Sequence, residues 1–217
     1  RGAEYYAAYG FPKQNMIVIP NGINTEEFYK CDSERLEVRK SLGLDQNTSV
    51  FLYAARVDPM KGHDLILMLA ERFPKTVFLL VGLGTDYLKV PGNVIALGMR
   101  RDMRKIYNAA DWLISLSNFG EGFPNVIGEA MACGIPVFAN DSGDSWHIIG
   151  TTGFRSFGTN VCEISREIKL TQATKISLTS ANECVRRISS QFSVNHMVEA
   201  YAGLYQEINE SEIGKTS

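Results

Sequence analysis

The sequence predicts a doubly wound α/β domain built on a parallel sheet, and three observations carry this prediction. Short apolar runs recur along the chain, and most are continuous rather than alternating, as in strands that are covered on both faces. Helical patterns separate these runs, so that strand and helix alternate and right-handed crossovers follow. Apolar residues make up 45% and charged residues 21% of the chain, which is the composition of an ordinary globular domain with a core.

The individual elements follow from the same patterns. Strands are predicted at seven apolar runs, at residues 16–20, 50–57, 77–82, 94–98, 112–117, 136–139 and 153–157. Helices are predicted between them, at residues 33–42, 62–72, 102–110 and 125–133, and then after the last strand, at residues 159–170, 175–189 and 194–208. The last helix has apolar residues at i, i+3, i+4 and i+7, and the polar tail after it is expected to fray.

Composition and charge narrow the function classes. A net charge of −2 gives no basic field for nucleic acid or anionic lipid, and we expect no nucleic-acid partner. No apolar run approaches the length of a membrane helix, about 18 residues. The four cysteines have no CxxC spacing and the three histidines are scattered, which favours reduced thiols in a cytoplasmic protein and predicts no metal site.

The loops that follow the strands are the candidate ligand sites, because doubly wound sheets bind ligands outside the carboxyl ends of their strands. In the first of these loops, Arg56 closes a strand and Lys61 opens a helix. Both cations can therefore point at one spot, and a guanidinium fork with an ammonium suits a diphosphate. On the pair alone, two solvated loop residues remain an equally simple interpretation.

A second loop contains Gly82 and Gly84 and is similar to the start of a dinucleotide-binding fingerprint. The third glycine is absent and the loop does not follow the first strand, which disfavours a dehydrogenase. These glycines serve either a tight strand-to-helix turn or the close approach of a ligand to backbone amides.

The third loop combines two carboxylates with a helix start. Glycines flank Glu121, Pro124 is placed as the first residue of a helix, and Gly134 is placed as its C-cap. The amino end of that helix is a natural anion site. Glu129 has apolar neighbours on the helix, where a carboxylate is costly unless it is paired or binds hydroxyl groups, which ribose and sugars present in pairs. A loop charge and an exposed helix residue are the alternatives.

These residues resemble the family 4 (group 1) glycosyltransferases. Residues 121–137 look like the Glu, seven residues, Glu motif of that family. Residues 18–24, Arg56 with Lys61, residues 109–111, and residues 140–144 followed by 150–154 are similar to further family motifs, in the same order. The resemblance covers residues 16–157 densely and the later helices more loosely.

The resemblance implies a GT-B architecture, in which two Rossmann-like domains face each other and the C-terminal one holds the donor. This chain resembles that C-terminal half, and an N-terminal acceptor domain is expected to precede it. Residues 1–192 would form the nucleotide-sugar-binding domain, residues 193–210 a crossover helix packed on the acceptor domain, and residues 211–217 a disordered tail. The half alone is expected to be inactive, and peripheral contact with the inner face of the membrane would come through the preceding domain.

The resemblance also assigns roles to single residues. Arg56 and Lys61 would bind the donor diphosphate and stabilise the charge that develops on it, which together with Glu121 makes them the predicted catalytic residues. Glu121 would hold hydroxyls of the donor sugar, and Glu129 would hold those of ribose. The further predicted substrate-binding residues are Asn21 and Gly22 below the diphosphate, Met99 and Arg100 beside the base through their backbone, and Gly122, Phe123, Pro124, Asn125 and Val126 around the sugar.

The implied activity is the transfer of a sugar from a UDP- or GDP-sugar to a glycan or lipid-linked acceptor, with retention of anomeric configuration and without metal or other cofactor. Surface polysaccharide or lipopolysaccharide assembly is the expected setting. A nucleotide-sugar epimerase or sugar synthase of the same fold, and a non-catalytic nucleotide-binding module, are the alternatives. A glycosidase is disfavoured because the carboxylates lie in a phosphate-binding setting. His63 and His147 are interpreted as structural residues rather than bases.

Overall fold

The computed structural model describes residues 2–173 and 178–213, and it contains a six-stranded parallel sheet. The strands are β1 Val50–Ala54, β2 Val77–Val81, β3 Val94–Ala96, β4 Trp112–Ser115, β5 Val137–Ala139 and β6 Phe154–Arg155. Their order is β3-β2-β1-β4-β5-β6, and every pairing is parallel. The predicted doubly wound α/β class is confirmed. The order reverses between β1 and β4, so the ligand crevice of such a sheet is expected beyond the carboxyl ends of these two strands.

Helices cover both faces of the sheet. They are α1 Gly2–Ala8, α2 Asp32–Ser41, α3 His63–Arg72, α4 Met103–Ala109, α5 Asn125–Ala132, α6 Ser145–Ile149, α7 Val161–Ala173, α8 Leu178–Gln191 and α9 Val194–Ile213, with single 3-10 turns at Lys13–Asn15 and Thr85–Tyr87. The sequence patterns did not predict α1 and α6. Residues 174–177, at the predicted start of the helix 175–189, lie outside the described residues.

The two-sided cover explains why the strands are apolar without alternation. Leu52 and Leu79 belong to a cluster that also contains residues of α4, α5 and α8, whereas their neighbours Phe51 and Phe78 belong to a second cluster with residues of α3 and α7. All four side chains are fully buried. Because successive side chains of a strand point to opposite faces, both sets of positions must be apolar.

The edge formed by the amino ends of the strands is held by a charged network. Arg39 on α2 is completely buried, and its Nη1 and Nη2 donate to the carbonyl oxygens of Ala109 and Asp45, both at 2.9 Å. Arg35 donates to Asp111 at 2.6 Å, and the other carboxylate oxygen of Asp111 accepts the amide of Val50 at 2.8 Å. This network fixes α2 and α4 against the first residues of β1 and β4.

The predicted strand at residues 16–20 is wrong. Met16 has extended backbone with φ −108° and ψ 125°, yet the run pairs with no strand of the described residues. Ile17 and Val18 are 60% and 66% exposed. The backbone is tied to the rest of the domain further on, at Ile23, whose amide donates to the Phe192 carbonyl at 2.7 Å and which forms a parallel bridge with Ser193, directly before α9.

Several predicted ends also differ. β1 and β4 stop three and two residues before the predicted ends, and only Phe154–Arg155 pairs within the run 153–157. The last helix continues to Ile213. Its side chains Val198, Tyr201 and Tyr205 are exposed, which agrees with the expected apolar face on this helix. Across the part of the chain that the structure describes, we find no helix that combines the length and the apolar character needed to cross a bilayer.

Candidate functional site

The β1 loop places Arg56 on the surface, two residues beyond the end of the strand. Its Nε and Nη2 both donate to one carboxylate oxygen of Asp58 at 3.3 Å, and the Arg56 side chain is 59% exposed. The amide of Met60 donates to the other oxygen at 2.9 Å, and this bond, followed by Arg56, lowers the pKa of Asp58. Asp58 therefore holds the loop, while the guanidinium of Arg56 stays accessible to a ligand.

Lys61 and Glu121 come together although 60 residues separate them in sequence. The ammonium of Lys61 binds Oε1 of Glu121, and these two side chains are 17% and 11% exposed. Ser117 donates its hydroxyl to the same carboxylate oxygen at 2.5 Å. Tyr53 donates to the carbonyl oxygen of Lys61, and its pKa is raised by burial and then by Glu121, so it remains a neutral donor. The structure thus brings two of the three predicted catalytic residues into contact at the β1–β4 switch point.

Glycines let three loops meet at this point. Gly120 has φ +77°, and a Cβ there would lie 2.5 Å from Sδ of Met60 in the β1 loop. Gly143 has φ +56°, and its Cβ would lie 2.3 Å from the carbonyl oxygen of Gly122. That oxygen accepts the amide of Asp144 at 2.9 Å. The segment that carries Glu121 therefore packs between the loops after β1 and β5: at Gly143 the backbone leaves no room for a side chain, and at Gly120 the positive φ favours glycine.

The helix after this segment begins at Asn125, as in the predicted range 125–133, and Pro124, predicted as its first residue, stands just before it. Pro124 is the N-cap, with ψ 94°, so α5 starts at Asn125; Pro124 has no amide hydrogen and its fixed φ suits either position. Gly134, with φ +74°, follows the C-cap and donates its amide to the Met131 carbonyl at 2.9 Å, as the predicted end requires. The amino end of α5 therefore follows Glu121 after three residues, and its amides and dipole favour an anion there.

Glu129 is paired, and its partner was missed by the sequence analysis. Tyr107 on α4 donates its hydroxyl to Oε2 of Glu129 at 2.6 Å. Burial raises the pKa of Glu129, and the hydrogen bond from Tyr107 acts in the opposite direction. The alternative of an exposed helix residue is excluded. The only available signal was a tyrosine shortly before the motif at residues 109–111, and nothing in the spacing identified it as a partner of α5.

Asn21 and Gly22 occupy different surroundings. Nδ2 of Asn21 lies 3.2 Å from Oδ1 of Asn125, so it contacts the first residue of α5. A Cβ on Gly22 would lie 2.5 Å from Cα of Val194, and its amide points at Sδ of Met197 at 3.2 Å. Gly22 therefore allows α9 to approach, whereas Asn21 stands beside the candidate anion site.

The region predicted to face the base is formed by the loops after β2 and β3. A Cβ on Gly82 would lie 2.0 Å from the carbonyl oxygen of Ala55, at φ +143°, which favours the tight-turn interpretation of this glycine. The amide of Gly82 donates to Gly98 at 2.9 Å, which joins the two loops. Met99 is 66% exposed, and Arg100 is occupied by a bidentate contact with Asp102 at 2.8 and 2.6 Å. The Arg100 side chain is 38% exposed, so this ion pair lies on the surface beside the backbone that was predicted to face the base.

Phe123 and Val126 are partly buried against the core cluster of α5, and the ring of Phe123 lies 5.8 Å from that of Phe192. Their side chains therefore support the loop from below. Gly122 is exposed, and its backbone is the part that a ligand can reach. Pro124 is buried and Asn125 is exposed, so the side chain of Asn125 is the accessible one of the pair.

The two histidines differ in environment. His63 is 5% exposed and stands edge-on to Tyr53 with ring centroids 5.1 Å apart. Burial, the largest cause, lowers its pKa, so the ring stays neutral as part of the packing under the β1 loop. His147 lies in α6, a helix that the sequence patterns did not predict, and its ring is edge-on to Phe192 at 5.5 Å. Among the described residues, no group of three His, Cys, Asp or Glu side chains could hold a metal ion.

Comparisons with known proteins extend this geometry. The family model for glycosyl transferases group 1 matches residues 34–170. The alpha-galactosylglucosyldiacylglycerol synthase of Streptococcus pneumoniae is 28% identical over 220 residues, covering 94% of this chain and 58% of that protein. The UDP-Gal:alpha-D-GlcNAc-diphosphoundecaprenol alpha-1,3-galactosyltransferase of Escherichia coli is 28% identical over 211 residues, covering 87% and 53%. HepE of Anabaena, solved with UDP and glucose, has a TM-score of 0.83 at 26% identity, covering 94% and 60%.

A parallel sheet of this order, with a lysine, two glutamates and a helix start at its switch point, defines a Rossmann-like domain of the GT-B type. The matched family model covers more than half of the sequence, and the chain belongs to the group 1 glycosyltransferases. It spans a little over half the length of the curated relatives named above, 58% and 53%.

Proposed function

We propose that this chain is the donor-binding domain of a retaining glycosyltransferase. The enzyme would transfer a sugar from a nucleoside-diphosphate sugar to a glycan or lipid-linked acceptor in the assembly of surface polysaccharide or glycolipid. One observation carries the proposal: Lys61 and Glu121 meet in the short loop that leads into the amino end of α5, at the point where the strand order reverses. A diphosphate needs cations and amides at one spot, and its attached sugar needs a hydroxyl acceptor beside them.

The contact between Lys61 and Glu121 gives a physical account of donor binding. Neither charge is exposed enough to stand alone, and each neutralises the other. When a diphosphate binds, its oxygens take the ammonium of Lys61, and Glu121 turns to the sugar hydroxyls as a bidentate acceptor. Arg56 lies at the open side of the site, where its accessible fork can leave Asp58 for the diphosphate. The ligand therefore replaces each internal contact by a stronger one.

The same groups supply the chemistry expected of the transfer. As the glycosidic bond breaks, negative charge grows on the leaving diphosphate, and preorganised cations and amides stabilise that charge. The nucleoside diphosphate is a good leaving group, so the requirement on this domain is charge stabilisation more than proton transfer. Arg56, Lys61 and the α5 amides can meet it without a metal ion or other cofactor.

A UDP-sugar is the donor that we propose. HepE, which shares 26% identity with this chain, was solved with UDP and glucose, and the Escherichia coli relative is named for UDP-Gal. The relatives' names also include a glycolipid synthase and a transferase acting on a diphosphoundecaprenol-linked sugar, which supports a lipid-linked acceptor.

The acceptor would be held by a second domain. The relatives named above are nearly twice as long as the matched segment, and α9 exposes Val198, Tyr201 and Tyr205. α1 and the turn after it expose Tyr5 and Phe11, at 60% and 58%. These aromatic and aliphatic surfaces are suited to packing on a preceding domain, which would complete the site and bring the enzyme to a membrane.

Calorimetric titration with UDP, GDP and ADP, and then with their sugars, tests the proposal. We expect UDP to bind in preference to the other two. Glu129→Gln should weaken UDP itself, because the ribose is present in the nucleotide, whereas Glu121→Gln should matter only when the sugar is attached. If calorimetry shows no preference of the chain for any of the three nucleotides, the proposal is contradicted. If both variants change the affinity for free UDP equally, the two role assignments are contradicted.

The reaction itself is tested with the preceding domain restored. Transfer should be measurable only in the two-domain protein, and proton NMR of the product should show the anomeric configuration of the donor. Robust turnover by residues 1–217 alone, or an inverted product, would overturn the corresponding part of the proposal.

A further inference from the structure

Tyr107 is a buried side chain whose hydroxyl contacts Glu129 of the candidate site. It is 0% exposed on α4, and its hydroxyl donates to Oε2 of Glu129 across the α4–α5 interface at 2.6 Å. The ring of Phe28 stands edge-on to it with centroids 6.0 Å apart. The ring is thus fixed by packing, and the hydroxyl by a single charge-assisted hydrogen bond. The position of one Glu129 oxygen is set from inside the core.

The second oxygen of Glu129 is in a different situation. Glu129 is partly exposed, and within the ranges 2–173 and 178–213 no donor to its Oε1 is found. A carboxylate oxygen can accept two hydrogen bonds, and an ionised carboxylate suits a vicinal pair of hydroxyls. Tyr107 therefore occupies the inner half of the carboxylate and leaves the outer half for a ligand.

We propose that Tyr107 is a positioning residue for ribose recognition: its hydroxyl holds Oε2 of Glu129, so that Oε1 is oriented and ionised to accept the 2′- and 3′-hydroxyls of the donor nucleotide. This rests on the proposed function, in which Glu129 binds ribose. Tyr107 touches no substrate and acts only through Glu129.

The charges around Glu129 explain why such a donor is needed. Burial is the largest cause that raises the pKa of Glu129, and Glu27, from the segment before α2, raises it further. Cys133 on the same helix stays a neutral thiol, since burial raises its pKa to about 12. Burial and Glu27 raise the pKa of Glu129, and the hydrogen bond from Tyr107 lowers it. Without its hydroxyl the carboxylate would hold a proton at higher pH and lose a fixed orientation.

Tyr107→Phe, studied by calorimetry with UDP and with 2′,3′-dideoxy-UDP, is the test. We expect the variant to bind UDP about tenfold more weakly at pH 7.5, the effect of one lost hydrogen bond to a charged group. Affinity for the dideoxy compound, which has no ribose hydroxyls, should stay within about twofold of the wild type, since a single hydroxyl outside the site is all that changes. Equal losses for both ligands would show a merely structural tyrosine and overturn the inference.

A pH series gives a second readout that packing alone would not move. The ratio of UDP affinity to dideoxy-UDP affinity should fall as pH is lowered through the pKa of Glu129. The terminal phosphate also titrates, with a pKa of about 6, but its effect cancels in this ratio because both ligands carry the same phosphate. In Tyr107→Phe the fall should begin at higher pH, and in Glu129→Gln it should be absent. An unchanged midpoint in Tyr107→Phe would contradict the inference.

A double-mutant cycle separates coupling from destabilisation. In a Glu129→Gln background, which leaves no unpaired buried carboxylate, Tyr107→Phe should cause no further loss of UDP affinity. Thr171→Val, which removes the hydroxyl of a residue that is 2% exposed and that, among the described residues, donates to the Ile168 carbonyl of its own helix, is the matched control and should not alter UDP binding. Additive losses in the cycle would overturn the inference while leaving the proposed function intact, whereas failure of the wild type to bind UDP would overturn both.

Discussion

The two edges of the sheet both carry basic side chains next to carboxylates, and they use them differently. At the edge formed by the amino ends of the strands, Arg39 is 0% exposed and donates to backbone carbonyls of two segments, Ala109 and the loop at residues 45–48, and Asp111 accepts a strand amide. At the carboxyl edge, Arg56 is 59% exposed with contacts of 3.3 Å to a neighbour in its own loop, and the ammonium of Lys61 contacts a side chain, that of Glu121.

This difference separates structural charges from charges that are available to a ligand. A buried ion is tolerated when its hydrogen bonds go to groups that cannot move, and breaking such a set is costly. A pair of side chains that neutralise each other at a crevice can exchange partners when a charged ligand arrives. The number of charged residues at an edge is therefore less informative than the nature of their partners.

The largest expected effect is at the amino edge. Arg39→Met should lower the free energy of unfolding by about 3–5 kcal/mol, because the buried carbonyl of Ala109 and the carbonyls of the loop at residues 45–48 lose their charged donor, and Asp111 loses one of its two basic neighbours. Urea unfolding followed by circular dichroism measures it, with Lys40→Met, an exposed position on the same helix, as the matched control. UDP affinity of the folded variant should be unchanged. If Arg39→Met lowers the free energy of unfolding by no more than Lys40→Met does, the distinction between the two edges is contradicted.

At the carboxyl edge the expected effect falls on binding. Lys61→Met should weaken UDP binding and transfer by about 3 kcal/mol, the scale of one lost oxyanion donor, while the free energy of unfolding falls by about 1–2 kcal/mol, less than in Arg39→Met. Glu121, left without its ammonium, keeps the hydroxyl of Ser117. Calorimetry and urea unfolding are compared with those of Lys105→Met, which removes the same group from a surface pair with Glu37 at 3.0 Å. Equal binding by both variants would contradict a ligand role for Lys61.

The same contrast explains what the sequence could predict. Continuous apolar runs identified β1 to β6, because a strand that is buried on both faces needs apolar residues at successive positions. The contact of Lys61 with Glu121 could be expected from strand order, since both follow the central strands. Tyr107 could not be expected, because its role depends on how α4 packs against α5. Residues 16–20 have the composition of a strand, but pairing depends on a neighbour, and local sequence does not contain one.

An effect of intermediate size is expected at Gly22, which lies beside the candidate site and packs against the start of α9. Gly22→Ala should lower the free energy of unfolding by about 1–3 kcal/mol, because the new methyl group would meet the backbone of α9. Gly203→Ala is the matched control, since its Cβ would find nothing within 4 Å, and it should be neutral or stabilising. Urea unfolding and UDP calorimetry measure both. Lost UDP affinity with unchanged stability would instead make Gly22 part of the diphosphate floor, as the sequence predicted.

The smallest expected effect concerns His63, a polar group at the carboxyl edge that has the burial typical of the opposite edge. Burial holds its pKa below the ordinary value of 6.5, so the unfolded chain takes up a proton more readily than the folded one. The contribution of this group to stability is therefore present above pH 6.5 and is lost as pH falls below that value.

Urea unfolding from pH 7.5 to 5 measures this loss, and His63→Leu should make the decline with falling pH shallower. UDP affinity should keep the same pH dependence in both proteins, because the ring packs on Tyr53 beneath the loop and the ligand contacts the residues above it. An identical slope in the variant would show that His63 is not buried as a neutral ring. A change in the pH dependence of UDP binding would instead place His63 among the groups that respond to the ligand, and burial would then fail as a criterion for telling the two edges apart.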